Sequence, residues 1–386
     1  MTLLLATLLW SQIPSQAEVL ESAWKKLPER ESLMALERAG ALSEGLTFFD
    51  NPELQLDYQA EDSGAMPAEW EFVVNLPIAT PAMRALQKRL SGQYESYNQK
   101  HHQFLKWRLK GTLQNLFWDF RQLQVKHRQI EVAMLDSEQQ RQWLTELVAL
   151  GERSADELNQ AKQQWVLDQF QYQEVQQELA AKRRQWEQYT GFTEFPATWS
   201  SPEIQGQMDA QIEASHPYLI FLNQQLELLE MELEREKKLR VAPQLSGGIK
   251  RVESMADDAS ATAWKIGFSY PLETRPVGTH RDAYVQIGDL KGQIIQVRRA
   301  LTLRLDQLRA EMDSNQLQLD LLDPMAEEME AQFALRRQAF REGLITVLEW
   351  QQIRQLHRKF KQQLGAARIL QAALQAEYSH TAGVMP

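Results

Sequence analysis

Apolar and polar side chains alternate one by one at only two places in the chain. In Asn51–Tyr58, Leu54, Leu56 and Tyr58 fall on one face and Gln55 and Asp57 on the other. The return segment sets Trp70, Phe72, Val74 and Leu76 against Glu69, Glu71, Val73 and Asn75, with a turn at Gly64 and Pro67 and stops at Pro77 and Pro81. A period of two predicts strands with one apolar face. The second instance opens at Pro243, turns through the Asp- and Ser-rich stretch 253–262 and returns through Trp264–Tyr270, with Trp264, Ile266, Phe268 and Tyr270 on one face.

Elsewhere the period is helical. Glu18–Leu46 reads as an amphipathic helix restarted at Pro28. No proline occurs from Ala82 to Phe195, and Ala82–Leu150 predicts one helix of 69 residues, on the order of 100 Å long. At Gly151 the chain reverses, Ser154 and Glu157 form a capping-box pair, and a helix returns over 155–189 to a stop near Gly191. A looser Pro- and Ser-containing stretch follows over 192–206. Next come a helix over 207–240 interrupted at His216-Pro217, and a third long helix that starts after Gly278, kinks at Asp323-Pro324 and ends at Gly343. Thr346 and Glu349 repeat the capping pair before a last helix, 347–378.

These elements form one unit written twice. Pro52 and Pro243 are 191 residues apart, Pro77 and Pro271 194, and Gly151 and Gly343 192. The first copy spans 18–206, with strands over about 51–78, a helix hairpin over 82–190 and its tip at 151; the second spans 207–386, with strands over 243–272, a hairpin over 279–378 and its tip at 343. Four short strands cannot close a barrel, and a hairpin alone is marginal in water. A soluble sheet packed on a core would use the same alternation, but helices of this length do not cover a small sheet. Strands of this size with one apolar face also build outer-membrane barrels, and three chains would supply 12 strands.

Charge and the N-terminus narrow the class. Lys plus Arg is 42 against 52 Asp plus Glu, a net charge of −10, which excludes a nucleic-acid backbone as the main partner. The same acidity suits a soluble surface or a cation-favouring lumen. Leu3–Trp10 is apolar and Ser15-Gln16-Ala17 has the small-x-small form, so residues 1–17 read as a secretory signal peptide cleaved after Ala17, although no Lys or Arg precedes the apolar run. No run of about 20 apolar residues occurs, so any membrane insertion is through strands. With 0 cysteines, no disulfide and no lipidated N-terminal cysteine are available.

The duplicated order and two tip motifs, Leu150-Gly151-Glu152-Arg153-Ser154-Ala155-Asp156-Glu157-Leu158 and Arg341-Glu342-Gly343-Leu344-Ile345-Thr346-Val347-Leu348-Glu349, resemble the outer membrane efflux protein family, the TolC-like exit ducts of tripartite pumps. The resemblance covers Glu18 to the C-terminus. It implies a mainly helical fold with β-structure: a homotrimer whose 12-stranded outer-membrane β-barrel continues into a periplasmic α-helical barrel. It implies an adaptor (membrane fusion) protein and an inner-membrane pump as partners. The adaptor-facing tips would be Gly151, Glu152, Arg153 and Ser154 with Gly343, Leu344, Ile345 and Thr346, and the pore constriction Glu157, Glu349 and Gln352. The lipid-facing residues would be Leu54, Leu56, Tyr58, Trp70, Phe72, Trp264, Ile266, Phe268 and Tyr270. Some members carry a second acidic residue where this chain has Gln352, and a Tyr and an Arg latch where it has Phe340 and Ile345. A latch here would use Arg153 or Arg341 with Glu157 or Glu349. The first tip carries Glu152, Arg153 and Asp156 where the second has Leu344, Ile345 and Leu348, which predicts one polar and one apolar kind of tip.

No phosphate loop, nucleophile motif or zinc-spaced cysteine set occurs, so neither an enzyme nor a cofactor is expected. His101-His102 read as helix surface rather than a metal site, because adjacent helical residues point about 100° apart. Glu230, Glu232 and Glu234, and Glu327, Glu328 and Glu330, read as wet helix faces. The competing class is a soluble coiled-coil scaffold with no transport role.

Overall fold

The computed structural model describes residues 13–42, 53–59, 68–78, 80–200, 216–240, 243–253, 260–270 and 280–384. In chain order the elements are α1 (Gln16–Lys26), α2 (Glu29–Leu42), β1 (Glu53–Gln59), β2 (Ala68–Pro77), α3 (Pro81–Ala149), α4 (Ala155–Thr190), α5 (Pro217–Arg240), β3 (Gln244–Glu253), β4 (Ser260–Ser269), α6 (Arg281–Arg341) and α7 (Val347–Thr381). They gather into two compact units, and each unit draws on both halves of the chain: Met1–Arg30 with Leu105–His216 and Arg298–Pro386, and Glu31–Phe104 with Pro217–Val297.

The first unit is helical, and its largest core explains a departure from the sequence reading. Val19 and Ala23 of α1, Leu113 and Phe117 of α3, Val175 and Trp186 of α4, and Phe195 and Trp199 of the following segment form one buried cluster. The stretch after Gly191 is therefore an aromatic plug over its described part rather than a loose linker. The Phe120 and Phe195 rings stack at 3.8 Å, and Trp186 stacks on Phe195 at 4.3 Å. At the other end, Ser15 caps α1 with a complete capping box on Glu18, and Gln16 bonds Ser200. Gln16 and Ala17, read as the end of a signal peptide, lie in the first turn of α1, while the apolar run Leu3–Trp10 is outside the described residues.

α6 continues through Pro324, where the sequence marks a kink. Proline removes one backbone bond, but contacts on both sides of it hold the helix: Leu319 packs with Leu364 and Ala367 of α7, joined by Leu322 and Ala326. Asp323 is paired with Arg368 at 2.6 Å.

Two imidazoles are enclosed in this unit. His216 is 0% exposed. His380 stacks on Trp107 at 4.4 Å, with His216 edge-on to the same indole at 4.9 Å. A Cβ at Gly111 would collide with the His380 ring. Burial pushes both pKa values down to about 4; the Thr381 backbone opposes this at His216, while the Lys110 charge adds to it at His380. The folded state thus holds both rings neutral, whereas the unfolded chain takes up protons near pH 6.5. Their stabilisation is complete above about pH 6.5 and is lost as pH falls toward 4. We expect His216 to account for about 2–3 kcal/mol of this loss and the partly accessible His380 for less. Unfolding midpoints measured between pH 7.5 and 4.5 should fall less steeply in His216→Gln than in the wild type; parallel curves would refute the assignment.

The second unit holds the sheet and adjoining helix. Leu86 and Leu90 of α3 pack on Met231 of α5. His101 stacks on Phe221 at 4.7 Å, and Phe104 on the same ring at 5.0 Å. His101 is therefore part of an aromatic stack and not the solvated surface the sequence suggested. Glu232, read as a wet face, accepts a hydrogen bond from the Tyr94 hydroxyl. Among the described residues no group of three or more His, Cys, Asp or Glu is placed to hold a metal ion.

Candidate functional site

The sheet is the first functional surface. Its order is β1-β2-β3-β4, every pair antiparallel. The register puts Leu54 opposite Val74, Leu56 opposite Phe72 and Tyr58 opposite Trp70. It continues with Phe72 opposite Ile249 and Leu76 opposite Leu245, then Ile249 opposite Trp264, Gly247 opposite Ile266 and Leu245 opposite Phe268. The two alternations seen in the sequence thus merge into one largely apolar face four strands wide, with Arg251 opposite Trp70 toward one end. β3 and β4 also reach into the stretch read as a turn, at Glu253 and at residues 260–262. Ile266 is 85% and Trp264 79% exposed, Leu54 and Phe268 66% each, and Tyr58 and Tyr270 56% and 58%. Trp70 and Phe72 are partly screened, Trp70 by the Tyr58 ring at 4.4 Å. Eight of the nine residues read from the sequence as lipid-facing lie along this face, and the ninth, Tyr270, follows the end of β4. The opposite face is polar: Lys250 pairs with Glu69 at 2.6 Å and Lys265 with Glu71 at 2.8 Å.

An exposed apolar area of this breadth is unstable against water unless something covers it. Among the described strands, β1 and β4 each pair on one side only. Since they run antiparallel to each other, the free edge of β4 can continue on the β1 edge of another copy without breaking the alternation. Among the described residues the strands form an open four-stranded sheet and not a closed barrel.

The hairpin tips are the second surface, and both are built alike. Gly151 and Gly343 have φ of 77° and 76°, a left-handed conformation that glycine takes without steric penalty. At the first tip the Gly151 and Glu152 amides donate to the Val148 and Leu147 carbonyls at 3.1 and 2.9 Å; at the second, Gly343 and Leu344 donate to Phe340 and Ala339 at the same distances. These are paired Schellman closures, which satisfy the last carbonyls of α3 and α6. The returning helices start differently. Thr346 and Glu349 form both bonds of the capping box. At Ser154 only the Glu157 amide bond to the hydroxyl forms, because the Glu157 carboxylate turns to Arg153 at 3.8 Å instead.

Behind the glycines the two hairpins share one core. Leu144, Leu158, Ala161, Phe340 and Trp350 are buried together, with Trp143, Phe333, Ile345 and Ile353 packed against them. Ile345, read as adaptor-facing, is thereby half withdrawn into this core. Phe340, at the position of the family's latch tyrosine, is 8% exposed and stacks on Trp350 at 5.3 Å. The residues presented outward are Glu152, Leu344, Ser154, Thr346, Glu349 and Gln352. Bonds from the Thr346 amide and hydroxyl hold the Glu349 carboxyl below the usual carboxylate range. Leu150, absent from the candidate set, is 72% exposed, equal to Leu344. The signal was in the order of residues: Leu150-Gly151-Glu152 against Glu342-Gly343-Leu344. Each tip carries one leucine and one glutamate flanking its glycine, in inverted order, so the tips differ less in polarity than the residues after the glycines suggested.

A four-stranded open sheet with a bare apolar face, joined to paired helix hairpins, is the protomer fold of the outer-membrane channels, as the resemblance to the TolC-like family implied. Three solved structures make the likeness quantitative. CusC, studied for its transmembrane channel formation, has a TM-score of 0.70 at 11% identity, with 96% of this chain and 92% of that chain covered. The CmeC outer membrane channel of Campylobacter jejuni scores 0.68 at 12% identity, covering 96% and 84%. The outer membrane protein VceC of Vibrio cholerae scores 0.67 at 10% identity, covering 95% of each. No family model and no curated protein matches the sequence. At these identities the similarity establishes the fold.

Proposed function

We propose that the protein is the outer-membrane exit duct of a tripartite efflux pump or secretion system, passing substrates from a periplasmic adaptor and an inner-membrane transporter to the cell exterior. The observation that carries this reading is the sheet: one continuous apolar face, a salt-bridged polar face and two complementary free edges. Closure by edge pairing removes the edges, and three copies give 12 strands, an allowed even number for such barrels. The apolar face would meet lipid and the polar face the lumen. The duct performs no chemistry; transport energy comes from the pump. The proposed route to the membrane is export directed by residues 1–17.

The tips are proposed as the adaptor contact and entrance, with Leu150 added to Gly151, Glu152, Arg153, Ser154, Gly343, Leu344 and Thr346. Glu349 would supply a ring of three carboxylates, and Gln352 a neutral ring beside it. The Arg153–Glu157 pair lies within one tip and is half-buried at a long 3.8 Å, so it ties α4 to its own turn and a latch would need Arg341 or contacts between copies. The exposed aromatic strand faces disfavour a soluble scaffold. Cell fractionation followed by mild-detergent extraction is the test: the protein should appear in the outer membrane as a homotrimer. Recovery as a soluble monomer or dimer without detergent would sink the duct reading.

A further inference from the structure

Between the two hairpins, above the tips, α3, α6 and α7 enclose a groove of about 740 Å³. Arg354 of α7 lines it and is 7% exposed. Its guanidinium meets only neutral acceptors, the Gln140 side-chain oxygen at 2.7 Å and the Asp136 carbonyl at 3.4 Å. Its Nε has no partner. The Asp136 and Asp168 charges act on it without direct contact, and burying a guanidinium with no carboxylate bonded to it as a counter-charge is unfavourable. The nearby carboxylates that could supply one are engaged elsewhere: Asp168 pairs with Arg358 at 3.1 Å, and Glu330 with Lys361 at 2.6 Å and His357 at 3.3 Å. That leaves Arg354 with Arg128, Arg337 and Arg341 on the lining against Asp136, and among the described residues none of these four arginines makes an ion pair. With Arg358 and Lys361, the lining carries five guanidiniums and one ammonium against the carboxylates of Asp136 and Glu330, a cationic excess that suits an anion, since the planar guanidinium fork matches the oxygens of an oxyanion.

We propose that this groove binds a small free oxyanion of the phosphate class, held by Arg354 and reached by Arg337 and Arg341, which ties α6 to α7 above the tips. The site goes beyond the duct reading and does not depend on it. The probe is inorganic phosphate, titrated into the purified full-length protein in detergent against sodium chloride at matched ionic strength. Trp143 and Trp350 line the adjoining end of the groove, so intrinsic fluorescence reports occupancy alongside the unfolding midpoint. A saturable response to phosphate and not to chloride is expected. It should weaken about tenfold in Arg337→Gln and in Arg341→Gln, the loss of one charge-assisted hydrogen bond, and vanish in Arg354→Met, which preserves the apolar stem. Should Arg354→Met fail to fold, the two exposed substitutions decide. The proposal is overturned by the absence of a saturable response in the wild type or by unchanged affinity in both exposed variants. It is equally overturned if the response appears only after the oligomer is dissociated, which would mean that an acidic side chain of a second copy fills the groove. Membrane recovery, scored on the same preparations, tests the duct reading separately.

Discussion

Trp186→Ala is expected to destabilise the helical unit by about 3–5 kcal/mol, the range for removing a fully buried aromatic side chain. Trp186 is 0% exposed. Its indole N–H donates to the Glu194 carbonyl at 3.1 Å, and its ring stacks on Phe195 and meets Trp199 edge-on at 6.3 Å. The truncation leaves a cavity among α1, α3 and α4 and also orphans the Glu194 carbonyl. Trp186→Phe retains most of the packing and loses the hydrogen bond, so it should cost about 1–2 kcal/mol, most of it the orphaned acceptor. Unfolding followed by far-ultraviolet circular dichroism in detergent gives the comparison. A loss below about 1 kcal/mol for the alanine variant would mean that the segment after Gly191 is not the plug described above.

That segment marks the limit of what the sequence made legible. Strand alternation and tip glycines are local signals, repeated once each, and both led to the elements observed. Phe195 and Trp199 carry no period, and their neighbours Pro196 and Ser200 read as loop; only the tertiary position of Trp186 gives the two aromatics a place to go. Pro324 is the converse case. A local rule marks a helix breaker there, but α6 runs through it, with Leu319 and Leu322 before the proline and Ala326 after it packed with Leu364 and Ala367 of α7. The tips show a finer failure. Ser154 and Thr346 have the same spacing to a glutamate, yet Arg153 draws the Glu157 carboxylate away whereas Ile345, turned into the core, offers Glu349 nothing. Arg354 was invisible because an arginine in a polar helix reads as surface; its burial depends on α3 and α6 meeting α7 around it.

The sheet face provides the sharpest test, because the two environments that could cover it predict opposite results. Ile266 lies on β4 between Trp264 and Phe268, is 85% exposed and faces Gly247, which has no side chain to shield it. In a lipid-facing strand, Ile266→Lys is expected to cost about 2–4 kcal/mol near the bilayer midplane and less toward an interface. The yield of membrane-assembled protein should fall accordingly. Ala263→Lys, on the polar face of the same strand and opposite Lys250, faces the lumen in this reading and should change stability by less than about 1 kcal/mol. Were the face bare in water, removing an isoleucine from it would relieve an aggregation liability, and Ile266→Lys would be neutral or improve yield. The ratio of the two variants in the outer-membrane fraction decides between these outcomes. An Ile266→Lys protein that assembles as well as Ala263→Lys would rule out lipid contact at this strand, and with it the barrel that the free edges of β1 and β4 are proposed to close.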